Sequence, residues 1–386
     1  MITFGCINSN INPYSIALKN IGFECLWLFE KNVKNREVSM KNHRDILHLD
    51  DISKMCSMIL CEQIKIPDVI FGKNPSNQFN IKQSQKEFDL FVEIKNVIDV
   101  KCDADKRKKP IIIWEDVEGV LQSSSNLFGN FLSRLVGRSN DVKPYECNSN
   151  SLKWMKSGSV SGDQRNGAWR VLNSKMFGIP QQRKRLYVIA TDLKDSATNI
   201  LDTYDNMKDG SGNLYDVYAN RELSFVLENK KFNIFREYVD ALNGAYGTAW
   251  NSLSVLENGS LLLNEEGKLR RYTPLEFERL MGLPDHYTKI DGMGDVARYK
   301  IIANSSIVNV LRWIGYRIIH CVFTRYLWSI DARSLCVGDK IEIKNILETK
   351  CDAKYFISDV AKKGMIKRIQ DQKIKINASL FSILES

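Results

Sequence analysis

Short apolar runs alternate with helical patterns through the first 190 residues. The runs have the length of buried strands and lie at Met1–Ile7, Glu24–Glu30, Asp68–Gly72, Pro110–Trp114 and Leu186–Ala190. Helical spacing of apolar residues is found at 15–22, 88–97 and 128–135. Strands that alternate with helices predict an α/β fold with a mostly parallel sheet covered on both faces. Ligands of such sheets bind beyond the carboxyl ends of the strands, so the loops there are the candidate site.

The pattern changes after residue 192. Residues 193–269 mix Asn, Gly, Tyr and charged residues with short apolar pieces, which predicts a small domain with little regular structure. A helix is predicted to begin at Thr273, with Glu276 at the third helical position as in a capping box. An apolar helix follows at 306–319, and a basic tail begins near 335.

Composition narrows the class of protein only slightly. The 386 residues carry a formal net charge of +9, which favours a polyanionic partner. The nine cysteines form no Cys-x-x-Cys pair, so we expect reduced thiols and no metal site. There is no run of 18 apolar residues and no basic segment followed by an apolar stretch at the start, so we expect a cytoplasmic protein with no membrane span.

Four segments resemble those of DNA cytosine-5 methyltransferases, and they occur in the order and at the spacing found in that family. They are Trp114–Leu121, Asn173–Ala190, Arg270–Tyr287 and Tyr299–Ser306, the last with Ala303 in place of a family glycine. The similarity covers roughly residues 1–330. The tail around 353–368 also resembles that of phage-encoded members.

The resemblance implies a domain order. Residues 1–192 would form the first part of a Rossmann-like catalytic domain, and 193–269 a small irregular target-recognition domain. Residues 270–334 would return to the catalytic domain, and 335–386 would be a basic C-terminal tail. Double-stranded DNA is the implied substrate.

The resemblance also assigns chemistry to individual residues. An enzyme that methylates C5 of cytosine takes the base out of the duplex stack and adds a thiolate to C6. Glu115 stands at the position of the glutamate that protonates or hydrogen-bonds N3 of the base. Gln181, Arg183 and Arg185 match residues that orient the flipped cytosine and grip the DNA backbone.

The nucleophile position departs from the family. The segment Pro67–Asn80 resembles the strand and Pro-Cys loop that carry the attacking cysteine, but residue 76 is serine. A serine hydroxyl is far less acidic than a thiol and needs an adjacent base. Asn77 replaces the usual glutamine, and only residues 81–86 are expected to separate Asn80 from the next helix, which is a shortened loop. We therefore expect lost or severely impaired catalysis.

The pocket for S-adenosylmethionine also departs from the family. Asn10 occupies a glycine position in the loop after the first strand, where asparagine tolerates a left-handed turn but adds a side chain. Glu30 matches the acid that holds the ribose hydroxyls, and Asp51 the acid near the adenine amine. Asn304 and Ser305 belong to the closing segment beside the cofactor, although their position before a helix is equally typical of a cap.

Three interpretations remain open. The first is a family member that binds duplex DNA with impaired catalysis. The second is an active S-adenosylmethionine-dependent enzyme of a phage or restriction-modification system, in which Cys6 or Cys61 supplies the thiol. The third is a non-catalytic partner of an active methyltransferase homologue.

Overall fold

The computed structural model describes residues 1–75, 79–123, 125–144, 147–148, 151–152, 154–193, 196–201, 218–324 and 340–386. The chain divides into two compact units. Unit 1 comprises Met1–Asn173, Lys184–Asn213 and Val310–Val337. Unit 2 comprises Ser174–Arg183, Leu214–Asn309 and Gly338–Ser386. Ser76 and Asn77 lie outside the described residues.

The strands, in chain order, are β1 Ile2–Ile7, β2 Phe23–Phe29, β3 Leu47–Leu49, β4 Val69–Lys73, β5 Ile111–Val117, β6 Cys147–Asn148, β7 Ser151–Leu152, β8 Ser157–Ser161, β9 Asn166–Asn173, β10 Gln181–Gln182, β11 Lys184–Thr191, β12 Leu223–Leu227, β13 Lys230–Ile234, β14 Val239–Asp240, β15 Leu262–Glu265 and β16 Lys268–Arg271. The α-helices are α1 Pro13–Leu18, α2 Val33–Asn42, α3 Met55–Leu60, α4 Ile81–Ala104, α5 Leu127–Val136, α6 Ser196–Leu201, α7 Tyr246–Ala249, α8 Leu253–Asn258, α9 Pro274–Leu280, α10 Asp295–Ala303, α11 Val308–Ile318, α12 Asp359–Asp371 and α13 Ala378–Glu385.

Unit 1 is built on an eight-stranded sheet in the order β3-β2-β1-β4-β5-β11-β9-β8. The first five strands in this order pair in parallel, and β11, β9 and β8 add antiparallel pairs at one side. The predicted α/β class with a mostly parallel sheet is confirmed. The carboxyl ends of β2, β1, β4 and β5 therefore meet at one edge of the sheet.

An aromatic layer fixes the carboxyl half of β4 against the helices. Trp114 of β5 packs against Phe88 and Phe91 of α4, with ring centroids 5.5 and 4.8 Å away. A Cβ atom on Gly72 would lie 2.5 Å from Phe91 and 2.8 Å from Trp114. Only glycine lets the aromatic layer approach β4 this closely.

Helix α4 begins earlier than the sequence predicted. Residues 81–86, expected to form a loop, are helical from Ile81 onward, so that expectation was wrong. The Asn80 side chain accepts a hydrogen bond from the Gln83 amide at 3.0 Å and caps the helix. The segment between β4 and α4 is thus shorter still than the sequence suggested.

Unit 2 contains an antiparallel sheet in the order β12-β13-β15-β16, more regular than expected for 193–269. Arg270 on β16 is fully buried and forms ion pairs with Glu265 at 2.6 Å and Glu276 at 2.9 Å. The predicted capping box of Thr273 and Glu276 is confirmed at the start of α9. Two buried carboxylates satisfy the Arg270 guanidinium, which joins the sheet to α9.

The C-terminal residues 340–386 pack into unit 2. The amide of Ile357 donates to the Leu269 carbonyl at 2.9 Å, and the Lys230 ammonium donates to the Thr349 carbonyl at 2.6 Å. Compact units group residues by packing and not by function, so the predicted functional domain limits stay a prediction. Among the described helices, none is both long and apolar enough to cross a membrane.

Candidate functional site

Four residues form a row across the carboxyl ends of the parallel strands. Lys73 of β4 pairs with Glu115 of β5. One position earlier, Gly72 of β4 pairs with Ile7 of β1, which in turn pairs with Phe29 of β2. The residues at this level of β2, β1, β4 and β5, here called the edge row, are Glu30, Asn8, Lys73 and Glu115. All four side chains are buried. The sheet therefore brings two predicted site residues, Glu30 and Glu115, to one edge together with two that were not predicted.

The loop after β1 is a turn built on alternate asparagines. Asn8, Asn10 and Asn12 have φ of 58°, 55° and 61°, in the left-handed region. Oδ1 of Asn10 accepts from the Ile11 amide at 2.7 Å, and Oδ1 of Asn12 accepts from the Ser15 amide at 3.1 Å at the start of α1. Asparagine replaces glycine here because its short side chain bonds locally in this conformation. The sequence analysis anticipated this only at Asn10.

The carboxylate of Glu30 holds this loop in place. Its Oε2 accepts from the Asn10 amide at 2.6 Å and its Oε1 from the Asn32 amide at 2.8 Å. Burial raises the pKa of the Glu30 carboxyl, although the amides of Asn32 and Asn10 and the Lys73 ammonium oppose the rise. Both oxygens already bind main chain, so a ribose would have to share them. The role of Glu30 toward a ribose stays a prediction.

The amide of Asn8 ties the same loop to β4 and α4. Its Nδ2 donates to the Lys73 carbonyl at 3.0 Å and to Oε2 of Glu87 at 2.9 Å. After β4, the Asn74 amide donates to the Glu115 carbonyl at 3.1 Å and its side chain donates to Ser84 at 2.8 Å. The loop after β1 and the residue after β4 are thus held by hydrogen bonds within the protein itself.

The other three predicted cofactor residues are not members of the edge row. Asp51, two residues after β3, is partly exposed and caps a 3-10 turn. It accepts from the amide of Ser53 at 3.0 Å and from its hydroxyl at 2.6 Å, bonds that lower the pKa of Asp51. Asn304 ends α10 in unit 2, and the Ser305 carbonyl accepts from Arg183 at 2.8 Å. Their roles toward a cofactor stay predictions.

Glu115 lies beside one of the predicted arginines. Its Oε1 is 3.9 Å from Nε of Arg185, across the antiparallel pair of β5 and β11. Glu115 is 3% exposed, and within the described part of the chain its Oε2 has no hydrogen-bond partner. In its protonated form, a buried carboxyl group with one unoccupied oxygen can donate a hydrogen bond or a proton to a ring nitrogen, which is the chemistry expected of this residue.

Gln181 and Arg183 are occupied within unit 2. Gln181 donates to the Leu280 carbonyl at 2.9 Å, and Arg183 donates to the carbonyls of Ala303 and Ser305, each at 2.8 Å. Both side chains are almost completely buried. They hold the ends of α9 and α10, and their predicted contact with a flipped cytosine stays a prediction.

The cysteines proposed as substitute nucleophiles have different environments. Cys6 is fully buried in β1, and burial raises the pKa of its thiol well above the ordinary value. Cys61 is exposed after α3. A thiol that resists ionisation is a poor nucleophile, so Cys6 is not suited to the task. In the described ranges, no cluster of His, Cys, Asp or Glu could hold a metal ion.

Lys73, like Asn8, is a residue of the edge row that the sequence analysis missed. It ends β4, directly after Gly72, and is 3% exposed. The available signal was a lysine at the end of an otherwise apolar strand, since a charged residue there is rarely buried without a reason. Its charge bears on which ligand the edge row accepts.

Comparisons with known proteins give the family of the chain. Residues 7–243 and 217–320 match the family of C-5 cytosine-specific DNA methylases. The chain is 24% identical over 341 residues to the type II methyltransferase M.HhaI of Haemophilus parahaemolyticus, covering 80% of this chain and 92% of that protein. It is 31% identical over 228 residues to a DNA N-6-adenine-methyltransferase of Escherichia phage P1, covering 52% of this chain but only 30% of the length of that relative.

Solved structures give a further comparison. A DNMT2 mutant of Spodoptera frugiperda is similar over 83% of this chain and 100% of its own length, with 14% identity and a TM-score of 0.49.

The family match extends over most of the sequence, from β1 to the end of α11. The chain therefore belongs to the C-5 cytosine-specific DNA methylase family.

Proposed function

We propose that this family member binds duplex DNA and has lost, or nearly lost, the transfer of a methyl group to cytosine. The observation that carries the proposal is serine at position 76, where the family has its nucleophilic cysteine. Without an ionisable thiol beneath the ring, C6 is not attacked and C5 does not become nucleophilic.

A serine nucleophile would need a nearby base. His48 lies in β3 and His43 precedes this strand, which is three strands from β4 in the sheet. At the usual strand spacing the two strands are roughly 14 Å apart, several times the length of a hydrogen bond. The buried Cys6 thiol, whose pKa is raised by burial, offers no replacement. These placements support the loss of turnover.

Affinity for DNA is supported by charge. The chain has a net charge of +9, and α12 carries Lys362, Lys363, Lys367 and Arg368 within two turns. Phosphate contacts by such cations provide most of the sequence-independent affinity for DNA. Family membership makes duplex DNA the polyanion to test first.

The experiment combines two measurements on the purified full chain. Transfer of a tritiated methyl group from S-adenosylmethionine to unmethylated duplex DNA should not exceed the level of the Glu115→Gln variant. Fluorescence anisotropy with a labelled duplex should show binding that weakens with salt. Methyl transfer that Glu115→Gln abolishes, or a covalent adduct with 5-fluorocytosine DNA, would establish an active enzyme instead.

A further inference from the structure

We propose that the edge row binds an adenosine ligand with an uncharged thioether, such as S-adenosylhomocysteine, and disfavours the sulfonium of S-adenosylmethionine, because Lys73 is buried in that row between Glu30 and Glu115. The proposal goes beyond the proposed function, since it concerns the methyl donor and not the nucleophile. It makes the donor itself a poor ligand.

The register of the sheet fixes the place of Lys73. It pairs with Glu115 on the neighbouring strand, and β1 alone separates β4 from β2 and the adjoining Glu30. Neighbouring strands lie about 4.8 Å apart, so Lys73 stands about 5 Å from the backbone of one acid and about 10 Å from the other. The bond from Asn8 Nδ2 to the Lys73 carbonyl holds this arrangement at 3.0 Å.

The side chain of Lys73 points to the face of the sheet opposite α4. A Cβ on Gly72 would meet Phe91 and Trp114 on the face covered by α4. Successive side chains of a strand point to opposite faces, so Lys73 shares the face of Phe71. Phe71 packs against Tyr14 of α1, with ring centroids 5.1 Å apart. Lys73 therefore lies on the face of the sheet against which α1 packs, and α1 directly follows the asparagine loop.

The positive charge of Lys73 also affects the pKa of Glu30. The largest influence on the Glu30 pKa is burial, which raises it, and Lys73 is among the groups that lower it. The two buried charges therefore interact through the protein. The second acid, Glu115, also has a cation nearby, since Nε of Arg185 lies 3.9 Å from its Oε1. Two buried acids and two cations balance each other, so the site needs no additional cation from a ligand.

The chemistry of the ligand decides what this balance permits. In S-adenosylmethionine the sulfur joins the ribose to the methionine part and carries a permanent positive charge. With its ribose at Glu30 and its methionine part along the loop at Asn8, its sulfur would lie near the end of β1, about one strand spacing from the strand that ends in Lys73. Two like charges at about the spacing of neighbouring strands, roughly 5 Å, repel each other in a buried site, whereas a thioether adds no charge. The loss in affinity should be at least about tenfold.

The test is the ratio of two dissociation constants, measured by calorimetry without DNA. S-adenosylmethionine and S-adenosylhomocysteine are titrated into the wild type, Lys73→Met, Lys73→Gln and the control Lys65→Met. Lys65 is exposed on the segment before β4. The ratio of the sulfonium to the thioether constant should fall at least about tenfold in both Lys73 variants and stay constant in the control.

Two outcomes would overturn the proposal. One is an unchanged ratio in folded Lys73→Met and Lys73→Gln, with folding checked by thermal melting. The other is no binding of either ligand to the wild type or to any Lys73 variant. Failure of the proposed function is seen separately, as methyl transfer or as absence of DNA binding. If both ideas hold, Ser76→Cys alone stays inactive, and Ser76→Cys combined with Lys73→Met gains methyl transfer.

Discussion

Glu115 and Arg185 face each other from adjacent antiparallel strands, with Oε1 and Nε 3.9 Å apart and both side chains largely shielded from water. Removal of one partner would leave the other buried charge without this ion pair, which costs more than the pair contributes. The pair therefore has a structural role that is separable from any catalytic role of Glu115.

A double-mutant cycle measures this role. Arg185→Met should lower the free energy of unfolding by about 3 kcal/mol, because it removes the ion-pair partner of the buried Glu115 carboxylate. Glu115→Gln combined with Arg185→Met should be less destabilised than Arg185→Met alone. Urea unfolding of the three variants and the wild type checks the prediction. Additive effects would show that the two side chains do not interact.

Asp116, next to Glu115, should make stability depend on pH. Burial raises the pKa of Asp116 to about 6, although the Trp114 indole at 3.1 Å and the Val117 amide at 2.8 Å donate to its carboxylate. In the unfolded chain the group titrates near 3.9. The folded chain thus holds the proton more tightly, and its stabilising effect is complete below about pH 4 and is lost as the pH rises through 6.

The loss amounts to about 3 kcal/mol for a shift of this size. Asp116→Asn should remove this decline between pH 4 and pH 7, whatever its absolute stability. Asp163→Asn, in an exposed turn, is the matched control. Urea unfolding at several pH values gives the slopes, and equal slopes for wild type and Asp116→Asn would disprove the assignment.

The asparagine loop gives a third prediction. Asn10 has a φ of 55° and no other residue type except glycine adopts this conformation as readily. Asn10→Ala should therefore cost about 1–2 kcal/mol, whereas Asn10→Gly should be nearly neutral. Thermal and urea unfolding of both variants decide the matter. Equal losses would mean that the side-chain bond to the Ile11 amide matters more than the backbone conformation.

The sequence predicted the sheet well because buried parallel strands are continuous apolar runs. The strands near Ile7 and Trp114 were found within a few residues, and the capping box at Thr273 was found by its spacing. Local patterns of this kind depend on residues close together in the chain. Burial that arises from distant partners leaves no such pattern.

Arg183 and Lys73 illustrate what sequence could not provide. Arg183 reads as a basic residue on an edge strand, yet it is buried against the carbonyls of Ala303 and Ser305, more than a hundred residues away. Lys73 reads as the polar end of a strand, yet the register places it between two acids. The small sheet of unit 2 was missed because its strands are short and half exposed.

Helix α12 is the surface on which DNA affinity can be tested most directly. Met365 and Ile369 bury one face of the helix, and Lys363 and Lys367 lie on the opposite, exposed face. In the described ranges neither lysine forms an ion pair with a carboxylate. Their charges are therefore available to a polyanion, and they stand one helical turn apart, about 6 Å along the axis.

If both lysines contact phosphates, Lys363→Gln/Lys367→Gln should weaken duplex binding and reduce the slope of log affinity against log salt by about 1.8, since each phosphate contributes about 0.9. Glutamine keeps the helix propensity of lysine, so folding should not change. The matched control, Lys106→Gln/Lys108→Gln, removes two exposed charges before β5, at the amino-terminal edge of the parallel strands. Anisotropy titrations at several salt concentrations give the slopes. An equal reduction in both double variants would assign the effect to net charge, because a specific contact surface on α12 requires the control to retain the wild-type slope.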